Sequence, residues 1–171
     1  MTIGSRVLAI VFLLAGVAAH VPALSADELE SSITSAEEAA GAMAVDVDRE
    51  GPGAVAVQLD VGRELYLRVS DGRVVDRERE LLDAGERRVL REIQDGATYL
   101  HLADAYRRAL SAMEETGDFD PFGASDFESI GYGRERGRSV IEVSFEQGDR
   151  DLALYLDPET GEILFSDLDD H

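Results

Sequence analysis

The sequence lacks cysteine, lysine, asparagine and tryptophan altogether, so its basic side chains are those of arginine and three histidines. Without cysteine, disulfide bonds, thiolate metal sites and cysteine nucleophiles are excluded. Positive charge is also scarce, since 16 basic side chains stand against 36 acidic ones and the formal net charge is −20. A chain this acidic repels a phosphate backbone, so we do not expect it to bind nucleic acid.

Sequence motifs that carry catalysis are missing as well. There is no His-Glu-x-x-His pair, no Gly-x-Ser-x-Gly elbow and no glycine-rich loop placed to hold a phosphate. Carboxylates are so numerous that a pair at the spacing of a glycosidase carries no information. We therefore predict a protein that is not an enzyme and that needs no cofactor.

The first 26 residues have the features of a secretory signal peptide. Arg6 precedes an unbroken apolar run at 7–19, and small residues follow up to Ala26. The run would span roughly 20 Å as a helix, less than the roughly 30 Å of a bilayer core. We predict cleavage after Ala26, with Ala23 and Ser25 as alternative sites, and a periplasmic or secreted protein. Contact with a membrane is expected only if this segment stays uncleaved as an anchor.

Alternating apolar residues predict strands in two parts of the chain. Segments 55–62 and 141–148 each alternate apolar and polar residues and end in glycine, and segments 63–69 and 150–156 then alternate again. Both pairs run into a glycine-containing turn, where Gly72 and Gly161 are expected to adopt positive φ. Shorter alternating stretches lie upstream of each pair. The same order of strands therefore occurs twice.

Helical spacing precedes each group of strands. Thr34 and Glu37 can form a capping box, although an earlier start near Asp27 would place more apolar residues on one face. A second helix is predicted from Asp83, with Glu86 as its capping partner. A third has an apolar stripe; its residues are Leu102, Tyr106, Ala109, Leu110 and Met113.

These elements predict an α+β fold with antiparallel sheets, built as two tandem helix-plus-sheet modules of four strands each. The first module would occupy residues 27–80 and the second residues 98–171. A linking helix at 81–97 would join them. Modules of about 60 residues bury little surface alone, so the two are expected to pack together.

The second predicted module resembles the PepSY family. The resemblance rests on a helix at 102–110, the strands at 139–156 and a Tyr-x-Asp-x-x-Thr-Gly-Glu ending. The residues of that ending are Tyr155, Asp157, Thr160, Gly161 and Glu162. The first module departs from this pattern, because its turn at 70–73 is shorter and lacks the Thr-Gly-Glu sequence.

The resemblance implies a non-catalytic module that binds another protein. PepSY units occur in propeptides of metallopeptidases, where they restrain or help to fold the enzyme, and in small exported proteins. The expected partner is therefore a protein, such as a peptidase or another envelope protein, that this chain binds or inhibits.

The sequence is also compatible with two other functions. Asp118, Asp120 and Asp126 fall at positions one, three and nine of an EF-hand-like loop, which suggests an acidic protein that binds or senses calcium. Position twelve is Ser129, so the bidentate glutamate of a true EF-hand is missing. The last alternative is a structural spacer without a dedicated ligand.

Overall fold

The computed structural model describes residues 22–170 and shows three α-helices, a single-turn 3₁₀ helix (Ala124–Asp126) and eight strands. Residues 1–21, and with them most of the predicted signal peptide, lie outside this range. The helices are α1 (Ala26–Ala40), α2 (Ala84–Gln94) and α3 (Leu102–Thr116). The strands are β1 (Ala44–Arg49), β2 (Ala54–Leu59), β3 (Arg63–Arg68), β4 (Arg73–Glu78), β5 (Phe127–Glu135), β6 (Arg138–Gln147), β7 (Arg150–Leu156) and β8 (Ile163–Asp170). Within the described range, no helix is long and apolar enough to cross a membrane.

The prediction of two tandem modules is wrong. All eight strands form one antiparallel sheet in the order β4-β3-β2-β1-β5-β6-β7-β8. The first strands of the two halves pair with each other, so that Val47 lies opposite Ile130. Two separate sheets would have left β1 and β5 as unpaired edges, each with an exposed row of backbone donors and acceptors. Pairing removes those edges, and the α+β class and the antiparallel strand order are confirmed.

One apolar core lies between the sheet and helices α1 and α3. Both helices pack against the same sheet face and against each other. Tyr106 of α3 lies fully buried at the centre, with its ring centroid 4.8 Å from that of Phe127 and 6.5 Å from that of Phe145. Both halves of the chain therefore contribute to one shared core.

Helix α1 begins earlier than its predicted Thr34 capping box. Ser25 is the N-cap, and its side chain and that of Glu28 bond reciprocally to each other's backbone N–H. Starting here adds Leu29 to the buried stripe, and Leu29 is fully inaccessible to solvent. The gain in burial explains why the earlier of two possible capping boxes is used.

Helix α2 begins as predicted, since Asp83 and Glu86 form its capping box. It packs against β5 and adds Val89 and Leu90 to the core. The chain thus returns from the outer strand β4 to the middle of the sheet before α3 begins.

Candidate functional site: the acidic sheet face

The strand register separates an apolar sheet face from an acidic one. Side chains alternate along a strand, and directly paired residues share a face. Val47, Ile130 and Val143 point to the core beneath α1 and α3. The intervening residues point away from those helices. We call the surface that they form the acidic face.

Carboxylates dominate the acidic face across the full width of the sheet. The register places these acidic residues on it: Asp46, Asp48, Glu64, Asp76, Glu78, Glu135, Glu142, Glu146, Asp151, Asp167 and Asp169. The arginines that the strands contribute are Arg68, Arg73 and Arg138, and each is the first or last residue of its strand. The middle of this face is therefore strongly negative.

Asp46 is the most enclosed carboxylate of the acidic face. It lies on β1 and pairs with Gly131 of β5. Its Oδ1 atom is shielded from solvent and has no hydrogen-bond partner among residues 22–170. A buried carboxylate oxygen without a partner is costly, so this arrangement does not stabilise the fold.

A glycine makes room for this carboxylate. A Cβ atom at Gly131 would lie 2.1 Å from Oδ2 of Asp46 and 2.7 Å from its Cγ, both shorter than any normal contact. Glycine in the middle of a strand weakens the strand and often marks a close approach. Here it allows the Asp46 side chain to lie across the neighbouring strand.

Asp46 opens into a pocket of about 220 Å³ between the sheet and α2. Glu142, which pairs with Gly131 from the other side, lines this pocket together with Ser129. Glu86, a buried residue of α2, lines it as well. In the described part of the chain, none of the three pocket carboxylates Asp46, Glu86 and Glu142 lies within ion-pair distance of an arginine or histidine.

Burial and mutual repulsion raise the pKa of these carboxyls. Burial raises the pKa of Asp46 well above its usual value, and the charges of Asp48, Glu86 and Glu142 add to the rise. Burial is also the main reason why the pKa values of Glu86 and Glu142 are raised. Asp48, Glu64 and Glu128, on or beside the acidic face, behave in the same way.

Several carboxylates outside the acidic face show the opposite shift. A backbone hydrogen bond at the N-cap lowers the pKa of Glu28, and one in the β7–β8 turn lowers that of Asp157. The hydroxyl of Ser139 lowers the pKa of Glu92. The carboxyls with raised pKa values lie on and around the acidic face, where burial and mutual repulsion outweigh the hydrogen bonds that some of them accept, such as the one that Glu86 accepts from the N–H of Asp83.

We expect the protein to be more stable at pH 5 than at pH 7. A carboxyl whose pKa is raised by folding destabilises the fold when ionised, so stability grows as pH falls through its folded-state pKa. This increase in stability is complete once the pH is below the carboxyl pKa of the unfolded chain, near 4. Around that pH, the carboxyls whose pKa values are lowered by folding start to lose their stabilising effect. Urea unfolding at the two pH values measures the difference.

Asp46→Asn should raise the free energy of unfolding at pH 7 by about 1–3 kcal/mol, because it removes a buried, unpaired charge without changing side-chain shape. The gain should shrink at pH 5. Asp149→Asn, in an exposed turn, is the matched control and should change stability by less than about 0.5 kcal/mol. A loss of stability in Asp46→Asn would show that the carboxylate is satisfied in solution.

The structure places the predicted calcium ligands in a loop before β5. Asp118 and Asp120 are exposed. Asp126 accepts hydrogen bonds from the N–H of Gly123 at 2.9 Å and from the Gln147 amide at 3.4 Å. Among residues 22–170, no group of three or more histidines and carboxylates is arranged to hold a metal ion.

Four of the five residues of the Tyr-x-Asp-x-x-Thr-Gly-Glu ending lie in the turn between β7 and β8. The Asp157 carboxylate accepts the N–H groups of Glu159 and Thr160, both at 3.0 Å. Gly161 has a φ of +72°, so the positive φ predicted for it is confirmed. Tyr155 lies apart from the turn, on the acidic face, and stacks on Phe165 with ring centroids 4.7 Å apart. These contacts give the ending a structural role.

Sequence reasoning missed Asp46, Glu142 and Gly131. Acidic residues are so frequent that none stood out, and the convergence of Asp46 and Glu142 depends on strand register. One signal was available: Gly131 interrupts an alternating stretch, which often marks a close backbone or side-chain approach.

No protein-family model and no curated protein matches this sequence. The fold is similar to the crystal structure of a lipoprotein candidate from Clostridium difficile 630, with 12% sequence identity and a TM-score of 0.49. The similarity covers 82% of this chain and 92% of that one. A likeness this distant carries no argument about function, so the resemblance to PepSY proteins stays a prediction.

Proposed function

We propose that this chain is an exported, non-catalytic protein whose acidic face binds a basic protein partner. The observation that carries the proposal is the gathering of carboxylates, with the unpartnered Oδ1 of Asp46 near their centre, on the sheet face away from α1 and α3. Such a face costs stability in the free protein. A partner that supplies positive charge would recover that cost on binding.

Charge complementarity also sets the kind of partner. The acidic face attracts lysine and arginine over a distance set by ionic strength, which speeds the encounter with a basic protein. Export is supported by the charged start and short apolar run of the first 26 residues. The PepSY resemblance makes a peptidase the first partner class to test.

Binding of a short peptide rich in arginine and lysine tests the proposal. We expect the exported protein to bind this peptide and not a matched acidic one, with affinity falling as salt rises from 50 to 200 mM. The triple variant Asp48→Asn, Glu146→Gln and Asp169→Asn removes exposed charges from the acidic face and should weaken binding roughly tenfold. Added calcium should leave the affinity unchanged.

A second triple variant controls for net charge alone. Glu38→Gln, Glu114→Gln and Glu115→Gln remove the same number of exposed charges from α1 and α3, on the other side of the sheet. This variant should bind within about twofold of the parent protein, because its changes lie far from the partner. Equal weakening by both triple variants would contradict the proposal, as would binding that requires calcium.

A further inference from the structure

The Asp46 pocket has a more specific chemistry than the rest of the acidic face. Most other acids of this face are exposed or half-buried and stay in contact with water. Oδ1 of Asp46 has lost its hydration and gained no partner within residues 22–170. Natural structures rarely leave a buried oxygen in this state unless water, an ion or a ligand group satisfies it.

The surroundings of Asp46 select for positive charge. From β1 it faces Asp48, from α2 Glu86, and from β6 Glu142, and all three repel its negative charge. Asp83 of α2 and the neutral residue Ser129 complete that side of the pocket. A neutral or anionic ligand would leave this repulsion in place, whereas a cation would relieve it.

A guanidinium fits these constraints better than a metal ion or an ammonium. The pocket carboxylates are not arranged as ligands of one metal ion. An ammonium group is strongly hydrated, so its entry into a partly dry pocket is expensive. A guanidinium is more weakly hydrated, keeps its charge when buried and offers planar donors to several carboxylates at once.

We propose that the pocket formed by Asp46, Glu86 and Glu142 receives the side chain of an arginine from the basic partner. Gly131 gives the pocket its depth, since any larger residue there would displace the Asp46 carboxylate. This inference rests on the proposed function, because it names the group that one partner residue places in the acidic face.

Two peptides of equal charge test the inference, one with arginine and one with lysine as its only basic residue type. The parent protein should bind the arginine peptide more tightly. Asp46→Asn should weaken binding of the arginine peptide about tenfold or more, and that of the lysine peptide by less than about threefold. Asp48→Asn is the control, since Asp48 lies two residues away on the same face and is exposed. The Asp48→Asn variant should weaken the binding of both peptides equally and only slightly.

The possible outcomes distinguish a failure of the arginine pocket from a failure of the proposed function. If both peptides bind but Asp46→Asn and Asp48→Asn have the same effect, the acidic face binds cations and the arginine pocket is wrong. A preference for the lysine peptide, or displacement of the arginine peptide by millimolar calcium, also overturns the pocket. If neither peptide binds the parent protein, the proposed function fails. A thermal melt of each variant shows that it is folded, and Asp46→Asn should melt no lower than the parent.

Discussion

Removing residues 22–26 is expected to lower the free energy of unfolding by about 3–6 kcal/mol, a large part of the total for a domain of this size. These residues precede or begin α1, yet they are built into the fold. Leu24 is 4% exposed and belongs to the core, and its carbonyl accepts the hydroxyl of the buried Tyr106 at 3.0 Å. Ser25 caps α1.

Each contact contributes to the expected loss. Burial of a leucine side chain is worth about 1.5–3 kcal/mol, and an N-cap about 1 kcal/mol. Tyr106 would keep a buried hydroxyl without its acceptor, which costs about 1–3 kcal/mol. Arg49 would also lose the carbonyl of Pro22.

Urea unfolding of two chains, one starting at Pro22 and one at Asp27, measures the loss. A third chain that starts at Pro22 and carries Ser25→Ala should lose only the cap, about 1 kcal/mol. Equal stability of the two lengths would show that Leu24 is not held in the core in solution. Cleavage after Ala26, as predicted from the sequence, would remove all these contacts. If the chain is exported as we propose, we therefore expect the mass of the mature protein to correspond to a start at or before Leu24.

Gly161→Val is expected to cost about 2–5 kcal/mol of stability. A valine at a φ of +72° is strained, and its Cβ would lie 2.9 Å from Cδ1 of Leu100 and 2.2 Å from Cδ of Arg108. The side chains of Arg108 and Leu100 would have to shift, or the turn would have to move away from α3. Binding of the basic peptide by the fraction that stays folded should be unchanged, because Gly161 lies outside the acidic face.

Gly148→Val separates backbone strain from crowding. Gly148 has a φ of +68°, but a Cβ there would meet no atom within 4 Å. Its substitution should lower the free energy of unfolding only by the strain of a valine at positive φ, about 1–2 kcal/mol. If both valines cost the same in thermal and urea unfolding, the contact between the β7–β8 turn and α3 does not form as described.

Local patterns of the sequence predicted the elements of this fold but not their assembly. Strict alternation marked β2, β3, β6 and β7, and the capping pair of Asp83 and Glu86 marked the start of α2. The pairing of β1 with β5 joins residues about 80 positions apart, and no local pattern specifies such a contact. The choice between one sheet and two modules depended on that pairing.

The candidate site was even less accessible from the sequence. The net charge of −20 argued against a nucleic-acid partner but did not indicate which surface would meet a protein. Asp46 and Glu142 are distant in sequence and become neighbours only because both lie beside Gly131, one on each side. The turn residues of the Tyr-x-Asp-x-x-Thr-Gly-Glu ending were easier to recognise, because a turn is encoded by adjacent residues.

The most direct test of the central claim is to map the bound basic peptide on the protein by amide chemical shifts in NMR. The account predicts that the largest changes occur in β1, β5, β6 and β7, around Asp46 and Glu142, and that they fade as salt is raised. Changes centred on α1 and α3, or confined to the edge strands β4 and β8, would contradict it.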